Sequence, residues 1–167
     1  MIETERLIFR RYSSDDLDLL LEMTSNPDIM KFIRHGNPWT QEETIESLNR
    51  YIGWNNEGIG LHLAFNKQDG KLVGHSGLIP QTIEDINELE VGYWVVKDEW
   101  GKGYGFEQAK AWKEYGLMNL EHTRLISLIQ NGNIGSMRVA EKNGMKHERD
   151  IELLGKRVAV YSITRLW

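Results

Sequence analysis

The sequence predicts a mixed α+β fold with one largely antiparallel sheet and a single strand–helix–strand crossover near its C-terminal end. Three observations support this class. Segments of alternating apolar and polar residues are separated by turn residues in the middle of the chain. Two segments with helical periodicity precede them, and each begins with residues that cap helices. A short apolar segment, TRLISLIQ, is followed by a further helical segment, as expected of a buried parallel strand.

The N-terminal part is predicted to contain one strand and two helices. TERLIFRRY alternates apolar and basic residues, which indicates the first strand. SSDDLDLLLEMTSN begins with capping residues and has leucines at helical spacing, and Asn26-Pro27 should end this helix. Thr40 and Glu43 form a capping box, which predicts a second helix that ends at about Glu57.

The middle of the chain is predicted to form three strands and a helix. GLHLAFNKQDGKLVGHSGLIPQ has the pattern of a hairpin that turns at Gln68-Asp69-Gly70. IEDINELEVGYWVV then predicts one long strand. Apolar residues at helical spacing follow from Tyr104 to Leu120.

The C-terminal part is predicted to complete the sheet. TRLISLIQ is the crossover strand, and NIGSMRVAEKNGM is a helix with Asn133 as its N-cap and Gly144 as its stop. GKRVAVYSITRLW closes the fold and pairs with residues 146–154 across Leu154-Gly155. The predicted total is therefore seven strands and four helices in a mixed sheet.

Composition excludes several classes of function. The chain of 167 residues has no cysteine, so disulfides, zinc fingers and thiol nucleophiles are excluded. A net charge of −5 without a basic block argues against a nucleic-acid partner. The charged start MIETERLIFRR does not fit a signal peptide, no apolar run reaches the roughly 20 residues of a membrane span, and the histidines lack metal spacing. We expect one cytoplasmic domain over residues 1–167, with no metal and no membrane association.

The segment DEWGKGYGFEQAKAW has glycines at alternate positions, 101, 103 and 105, between the long strand and a helix. Backbone N–H groups from about 101 to 106 would therefore lack partners within the helix, and they would lie at the positive end of its dipole. Because glycine has no Cβ, an anion can approach these groups closely. The pattern favours a phosphate-binding loop over a plain turn.

Two nucleotide-binding motifs fit this segment poorly. A Walker loop requires Ser or Thr after its lysine, but Gly103 follows Lys102. A Rossmann loop follows the first strand of repeated βαβ units, whereas this segment follows four predicted strands. The sequence therefore indicates a phosphate ligand held in another type of fold.

ELEVGYWVVKDEWGKGYGFEQA, followed by NIGSMRVAEKNGM, resembles the GNAT superfamily of acetyl-CoA-dependent N-acetyltransferases. TERLIFRRY and the E-x-G-Y-W pattern are similar to the branch that acetylates the N-termini of ribosomal proteins. The resemblance covers essentially the whole chain. It implies a twisted mixed sheet of about six to seven mostly antiparallel strands with one parallel splayed pair, flanked by about four helices. One departure is Trp100, where many members have Arg or Gln.

The resemblance implies acetyl-CoA as the co-substrate, with its pantetheine arm between the strands YWVV and TRLISLIQ. A backbone N–H near Val91 or Gly92 would then face the thioester oxygen. The side chains that could pair with the phosphates of acetyl-CoA are Lys102, Arg138 and Lys142, and the alternative for the two lysines is an exposed, solvated position. The residues implied to bind the cofactor are Val95, Val96, Gly101, Lys102, Gly103, Tyr104, Gly105, Phe106, Asn133, Ser136 and Lys142.

Glu90 is the candidate catalytic base. Strand alternation places it on the face opposite Val91 and beside Trp94, where burial would raise its pKa. Many family members use a glutamate at this place. The alternatives are an exposed carboxylate, a carboxylate that only orients a water, and His75 on the preceding strand as the base.

Ser136 is the candidate that protonates, or donates a hydrogen bond to, the leaving thiolate. Many family members have a tyrosine seven residues after the asparagine, where this chain has Ala140. The alternative role for Ser136 is satisfaction of N–H groups at the start of a helix. Trp39 either lines the acceptor site or packs in the core.

These features predict an N-acetyltransferase that moves the acetyl group of acetyl-CoA to a primary amine by direct attack. The acceptor is a protein N-terminus or a small amine, and the protein is a monomer or a homodimer. The absence of the helix tyrosine suggests an alternative, an acyl-CoA-binding module of the same fold with little turnover. A nucleotide-binding protein is a third possibility.

Overall fold

A single seven-stranded sheet forms the centre of the computed structural model, which describes residues 2–166. Its strands are β1 (Leu7–Arg10), β2 (Gly60–Asn66), β3 (Leu72–Ile83), β4 (Ile86–Val95), β5 (Arg124–Gln130), β6 (Lys146–Leu153) and β7 (Lys156–Thr164). The helices are α1 (Leu17–Thr24), α2 (Pro27–Met30), α3 (Gln41–Asn56), α4 (Tyr104–Glu114) and α5 (Ile134–Lys142).

The strand order is β1-β2-β3-β4-β5-β7-β6, and only the β4–β5 neighbours in the described chain are parallel. This confirms the predicted fold class, with five helices instead of about four. The β4–β5 pairing consists of one register pair, Glu90 with Ile126, although both strands continue beyond it. The two strands therefore separate toward their C-terminal ends and leave a cleft within the sheet.

Helices cover the two faces of the sheet in separate groups. α4 packs on β3 and β4, and α5 packs on β5, so these two helices share one face. α3 packs on the other face against β2, and α1 packs against α3. β4 contributes Val91, Tyr93 and Val95 to the first face and Trp94 to the second, as its alternation predicts.

Local signals of helix and turn account for most element ends. Thr40 and Glu43 form the predicted capping box at the start of α3. Gly144 has a φ of 85° after α5, and Leu154-Gly155 forms the turn between β6 and β7 with φ values of 51° and 74°. No helix in residues 2–166 is long and apolar enough to cross a membrane.

Three boundaries differ from the prediction. Asn26-Pro27 follows the end of α1 but also starts α2, because the Asn26 side chain accepts a hydrogen bond from the Asp28 N–H. The strand predicted over IEDINELEVGYWVV is interrupted by a turn at Glu84-Asp85, both with positive φ. This turn lacks the glycine or asparagine that would have indicated it. The predicted helix 104–120 is α-helical to Glu114 and continues as a π-helix over Tyr115–Asn119.

Candidate active site

A cavity of about 1140 Å³ opens where β4 and β5 separate, and residues from both faces of the sheet line it. Its volume exceeds the roughly 300–1,000 Å³ of a typical single-ligand pocket, so two substrates can share it. All of the site residues predicted from the sequence line this cavity except Val96 and Lys102.

The glycine loop presents a row of unpartnered backbone donors. Gly101 and Gly103 have φ values of 78° and 84°, and α4 begins directly after them. Within residues 2–166, the N–H groups of residues 101–106 have no hydrogen-bond acceptor, and the next one, on Glu107, donates to the Gly103 carbonyl at 3.1 Å. Six consecutive donors at a helix N-terminus are suited to an anion such as a diphosphate.

Glycine is favoured at the three positions of this loop for different structural reasons. A Cβ at Gly101 would meet nothing within 4 Å, and one at Gly103 would meet only Arg6 Nη2 at 3.5 Å, so both leave open space beside a left-handed backbone. Gly105 has no positive φ, and its Cβ would lie 3.1 Å from the Tyr93 ring. Gly105 therefore allows Tyr93 to pack against α4, which is a different role from the exposure of backbone predicted for all three.

Basic side chains near the loop divide into paired and unpaired groups. Lys102 donates to Glu99 at 2.8 Å, which raises the pKa of Lys102, and its side chain does not line the cavity. Lys142 lies over the Phe106 ring at 4.3 Å and lines the cavity together with Arg138. Lys142 and Arg138 are the side chains available for phosphates here, while Lys102 offers its backbone N–H.

Tyr104 starts α4 but contributes little side chain to the cavity. Its ring is buried, its hydroxyl accepts a hydrogen bond from Asn66 at 2.8 Å, and the Arg6 guanidinium stacks on it at 4.1 Å. Tyr104 thus anchors the loop to β1 and β2, and its backbone N–H is the group it offers to a ligand.

Val96 has both of its backbone groups occupied. Its N–H donates to the Val73 carbonyl at 2.8 Å, and its carbonyl accepts from the Glu99 N–H at 3.0 Å. The contact expected of Val96 with a pantetheine arm therefore has no free backbone group. The bond to Val73 also fixes the alternation of β4, so that Val91, Tyr93 and Val95 direct their N–H and carbonyl groups toward β5.

Tyr93 carries the first β4 N–H that faces the open cleft. In a parallel ladder, the residues on either side of a register pair make the hydrogen bonds to the neighbouring strand. The Glu90–Ile126 pair therefore places the Val91 N–H in a hydrogen bond with β5. The Gly92 N–H points to β3 instead, where Gly92 pairs with Gly77. Of the backbone donors near Val91 and Gly92, the Tyr93 N–H is therefore the one that faces the open cleft.

Glu90 lies in the cleft and is 9% exposed. Its carboxylate accepts from Gln81 Nε2 at 2.9 Å and from the Leu128 N–H at 3.0 Å. Burial raises its pKa to about 7, in the direction that the sequence predicts. The Leu128 N–H on β5 lies where the β4 backbone has separated from β5, and the Glu90 carboxylate satisfies this donor instead. Glu90 therefore has a structural role in addition to a pKa suited to proton transfer.

His75, the alternative base, is completely buried and does not line the cavity. Its Nδ1 shares a hydrogen bond of 2.6 Å with the Tyr12 hydroxyl, and its ring packs on Trp94 at 4.1 Å. Burial lowers its pKa to about 3. These surroundings favour a neutral core histidine.

Ser136 lies at the start of α5, where two neighbours orient it. The Asn133 side chain accepts from the Ser136 N–H at 3.3 Å, which confirms Asn133 as the N-cap. The Tyr93 hydroxyl donates to Ser136 Oγ at 3.1 Å. The contact of Tyr93 with Ser136 was not predicted from the sequence, because the usual position of the family tyrosine is on the helix, at Ala140. The alternation of β4 does predict that the Tyr93 side chain lies on the face that carries α5.

The opposite end of the cavity has aromatic walls. Trp39 packs edge-on against Trp94 at 5.6 Å, and the Arg34 guanidinium stacks on Trp39 at 4.3 Å. Trp39 is only 5% exposed, so it is a core residue that also contributes to the wall. This end lies on the same face of the sheet as Glu90.

Comparison with known proteins places these features in one family. Residues 6–146 match the acetyltransferase (GNAT) domain family. The chain is 34% identical to YkkB of Bacillus subtilis over 95% of its length and 92% of YkkB. It is 33% identical to the N-acetyltransferase YnaD of the same organism, over 88% of its length and 83% of YnaD.

Solved structures share the same architecture. A GNAT-family acetyltransferase from Bacillus anthracis superposes with a TM-score of 0.81 at 28% identity and covers 98% of this chain, 97% of its own. The ribosomal L7/L12 α-N-protein acetyltransferase RimL in complex with coenzyme A has a TM-score of 0.78 at 18% identity, over 96% of this chain and 95% of its own. Spermidine N-acetyltransferase from Vibrio cholerae, with CoA and spermine, has the same TM-score and identity, over 96% of both chains. The last two likenesses concern the fold alone.

Proposed function

This chain belongs to the GNAT acetyltransferase family and is an acetyl-CoA-dependent acetyltransferase, and we propose that it transfers the acetyl group to a primary amine by direct attack in a ternary complex. The observation that carries the proposal is the row of unpartnered N–H groups over residues 101–106, which leads into the cleft that contains Glu90. A diphosphate bound at this row would direct an attached thioester along β4.

The cofactor end of the cavity fits acetyl-CoA in charge and shape. The donors of the glycine loop face a diphosphate, and Arg138 and Lys142 supply positive charge beside it. The Tyr93 backbone groups and the Val95 N–H point into the cleft and would hold the pantetheine arm, whereas the Val95 carbonyl already accepts from Trp100 Nε1 at 2.8 Å. Asn133 lines the same cavity. Acetyl-CoA supplies the activated acyl group, and the Tyr93 N–H would stabilise the developing oxyanion.

Glu90 is the proposed base for the attacking amine. The neutral nitrogen forms a bond to the thioester carbon, and its surplus proton passes to the Glu90 carboxylate directly or through one water. A pKa of about 7 leaves close to half of Glu90 ionised at neutral pH. An α-amino group with a pKa near 8 is roughly one-tenth neutral at pH 7, whereas a lysine is less than one part in a thousand neutral, so lysine-like amines depend more on the base.

Ser136 is the proposed proton donor as the carbon–sulfur bond breaks. Because Ser136 Oγ accepts the Tyr93 hydroxyl proton, its own hydrogen is free to point at the sulfur. Once Ser136 has given this proton to the thiolate, the Tyr93 proton can replace it. A thiolate with a pKa near 8–9 leaves readily, so this pair is expected to contribute moderately to the rate.

The acceptor proposed from the resemblance is the N-terminal amine of a ribosomal protein, with a small amine as the alternative. A direct test measures thiol release from acetyl-CoA by the purified protein across ribosomal N-terminal peptides, amino acids, polyamines and aminoglycosides. Thiol release that requires one of these amines, with an acetylated product identified by mass spectrometry, supports the proposal. Thiol release by water alone contradicts it.

The second candidate is an acyl-CoA-binding module with little turnover, and Ala140 at the usual tyrosine position favours it. This candidate predicts that coenzyme A raises the melting temperature while no amine in the panel is acetylated. Stabilisation by ATP or NAD but not by coenzyme A would instead indicate a nucleotide-binding protein.

A further inference from the structure

The cavity has an excess of positive side chains although the chain as a whole has a net charge of −5. Two of its three acidic side chains are neutralised from outside the cavity: Asp28 by Lys97 at 2.6 Å, and Glu99 by Lys102 at 2.8 Å. Five basic side chains line it without a carboxylate partner in residues 2–166: Lys31, Arg34, Arg50, Arg138 and Lys142.

These five cations lie in two places. Arg138 and Lys142 are on α5 near the glycine loop, where phosphates account for them. Lys31, Arg34 and Arg50 belong to the α2–α3 region, on the Glu90 side of the sheet. The proposed cofactor contacts do not use these three, so they are available to an acceptor.

Arg34 is the most constrained cation of this second group. It is half-buried, and burial lowers the pKa of its guanidinium. The negative charges of Glu43 and Glu46 partly oppose this lowering of the Arg34 pKa. Neither glutamate lines the cavity, and Glu43 is paired with His35 at 3.0 Å. The half-buried guanidinium has no bonded carboxylate in residues 2–166, so its N–H donors are available to the anionic group of a ligand.

The backbone of Arg34 is held at the cleft. Its carbonyl accepts a hydrogen bond from Gln130 Nε2, at the end of β5, at 2.9 Å. Its φ of 49° is a left-handed conformation that a non-glycine residue adopts only when its surroundings enforce it. The guanidinium is also fixed on the Trp39 ring. The charge is therefore held in position before a ligand arrives.

The walls beside Arg34 are apolar and flat. Tyr51 stacks on Trp54 at 5.8 Å, and both line the cavity together with Trp39 and Trp94. Such walls are suited to an aromatic or branched apolar body.

This inference rests on the proposed function and favours its small-amine alternative over a ribosomal N-terminus. We infer that the acceptor is a small amine that carries a carboxylate, as an aromatic or apolar amino acid does, and that Arg34 binds this carboxylate. The cluster Lys31, Arg34 and Arg50 repels a polyamine and lowers the pKa of a nearby ammonium, which increases the neutral fraction of a bound amine. A guanidinium pairs with a carboxylate through two parallel hydrogen bonds, which would fix the orientation of the amine toward the thioester.

The experiment compares matched acceptors that differ in charge: L-phenylalanine, L-phenylalaninamide and spermidine, with a peptide that begins Phe-Asp as a further acceptor. We expect kcat/KM for phenylalanine to exceed that for phenylalaninamide by at least tenfold, and transfer to spermidine to be weaker still. Arg34→Gln should remove this preference through a higher KM for phenylalanine and leave the KM for acetyl-CoA unchanged, whereas Arg34→Lys should retain part of it. Lys110→Gln, on the exposed side of α4, is the matched charge control.

The other outcomes separate the inference from the proposed function. Transfer to amines without a preference for the carboxylate, or with spermidine or the peptide as the best acceptor, would overturn the inference and leave the acetyltransferase assignment intact. A rise in the KM for acetyl-CoA in Arg34→Gln would assign this arginine to the cofactor and overturn the inference. Coenzyme A binding without transfer to any acceptor would remove the proposed function itself.

Discussion

Burial of Glu90, the proposed base, lowers the stability of the fold at neutral and alkaline pH. A pKa of about 7 in the folded protein, against 4.5 ordinarily, means that the folded state keeps a proton that the unfolded chain releases between pH 4.5 and 7. The contribution of Glu90 to the free energy of unfolding therefore falls as pH rises through this window. Above pH 7 the buried carboxylate costs about 3 kcal/mol.

Glu90→Gln is expected to change activity and stability in opposite directions. The variant should lose at least tenfold in kcat at pH 6.5 and less at pH 9, where the amine is already largely neutral. At pH 8 its free energy of unfolding should be about 2 kcal/mol higher than that of the native chain, because removal of the buried charge outweighs the loss of one accepted hydrogen bond. This gain should vanish at about pH 5.5 and reverse slightly below it, where Glu90 is protonated and only the lost hydrogen bond remains. Denaturant unfolding and pH–rate profiles provide the two measurements. A rate loss that does not vary with pH would assign Glu90 to structure alone.

The Tyr93–Ser136 pair makes a graded prediction. Ser136→Ala should lower kcat by about tenfold with little change in the KM for acetyl-CoA, since the lost hydroxyl acts on the leaving sulfur. Tyr93→Phe should have a smaller effect in the same direction, because Ser136 retains its own proton. The double variant should resemble Ser136→Ala. Additive losses in kcat would contradict a shared proton path.

At the scale of elements, the loop between β4 and α4 is the part on which the proposed cofactor binding depends. Gly103→Ala introduces a Cβ beside the unpartnered N–H groups, and it should weaken coenzyme A binding by at least tenfold. Gly58→Ala is the matched control, because Gly58 has almost the same φ, 85° against 84°, with open space for a Cβ outside the cavity. Each change should lower stability by about 1–2 kcal/mol through left-handed strain. Equal coenzyme A affinity in the two variants by calorimetry would refute the loop assignment.

Local signals predicted the elements well and their interruptions poorly. The capping box of α3, the Asn133 cap and the late crossover followed from short-range rules, and so did the position of the glycine loop. The turn at Glu84-Asp85 has no such signal, since strand pairing on both sides enforces two positive φ values there. The backbone groups of Val96 are occupied by hydrogen bonds to Val73 and Glu99, and the hydroxyl of Tyr93 contacts a residue of α5. Such contacts depend on the register and packing of elements distant in the sequence.

At the scale of the whole molecule, the two faces of the sheet have different tasks. The α4–α5 face holds the proposed cofactor contacts, and the α1–α3 face holds the aromatic and cationic acceptor end, with the separated strands between them. Coenzyme A should therefore stabilise the entire fold. At 100 times its dissociation constant the gain is about 2.7 kcal/mol, and thermal unfolding should shift upward by roughly 5–11 °C. An unfolding temperature that stays unchanged with coenzyme A at millimolar concentration would contradict the assignment of the cofactor to the α4–α5 face.

Acid stability should depend on His75. Its folded pKa of about 3 lies below the ordinary 6.5, so its contribution to stability is complete above pH 6.5 and is lost as pH falls below that value. His75→Gln should therefore flatten the acid limb of the stability curve while acetyl transfer per folded molecule is retained. A loss of activity that exceeds the loss of folded protein, measured by circular dichroism at each pH, would return His75 to the catalytic site.

The most direct test of the account is the amide NMR spectrum of the isotope-labelled protein titrated with coenzyme A and, separately, with pantetheine, which lacks the diphosphate. We predict that the N–H signals of residues 101–106 shift strongly with coenzyme A and little with pantetheine, while the Tyr93 N–H shifts with both. Coenzyme A that binds without moving the 101–106 signals, or that moves a different cluster of amides, would contradict the central claim that these bare donors hold the cofactor.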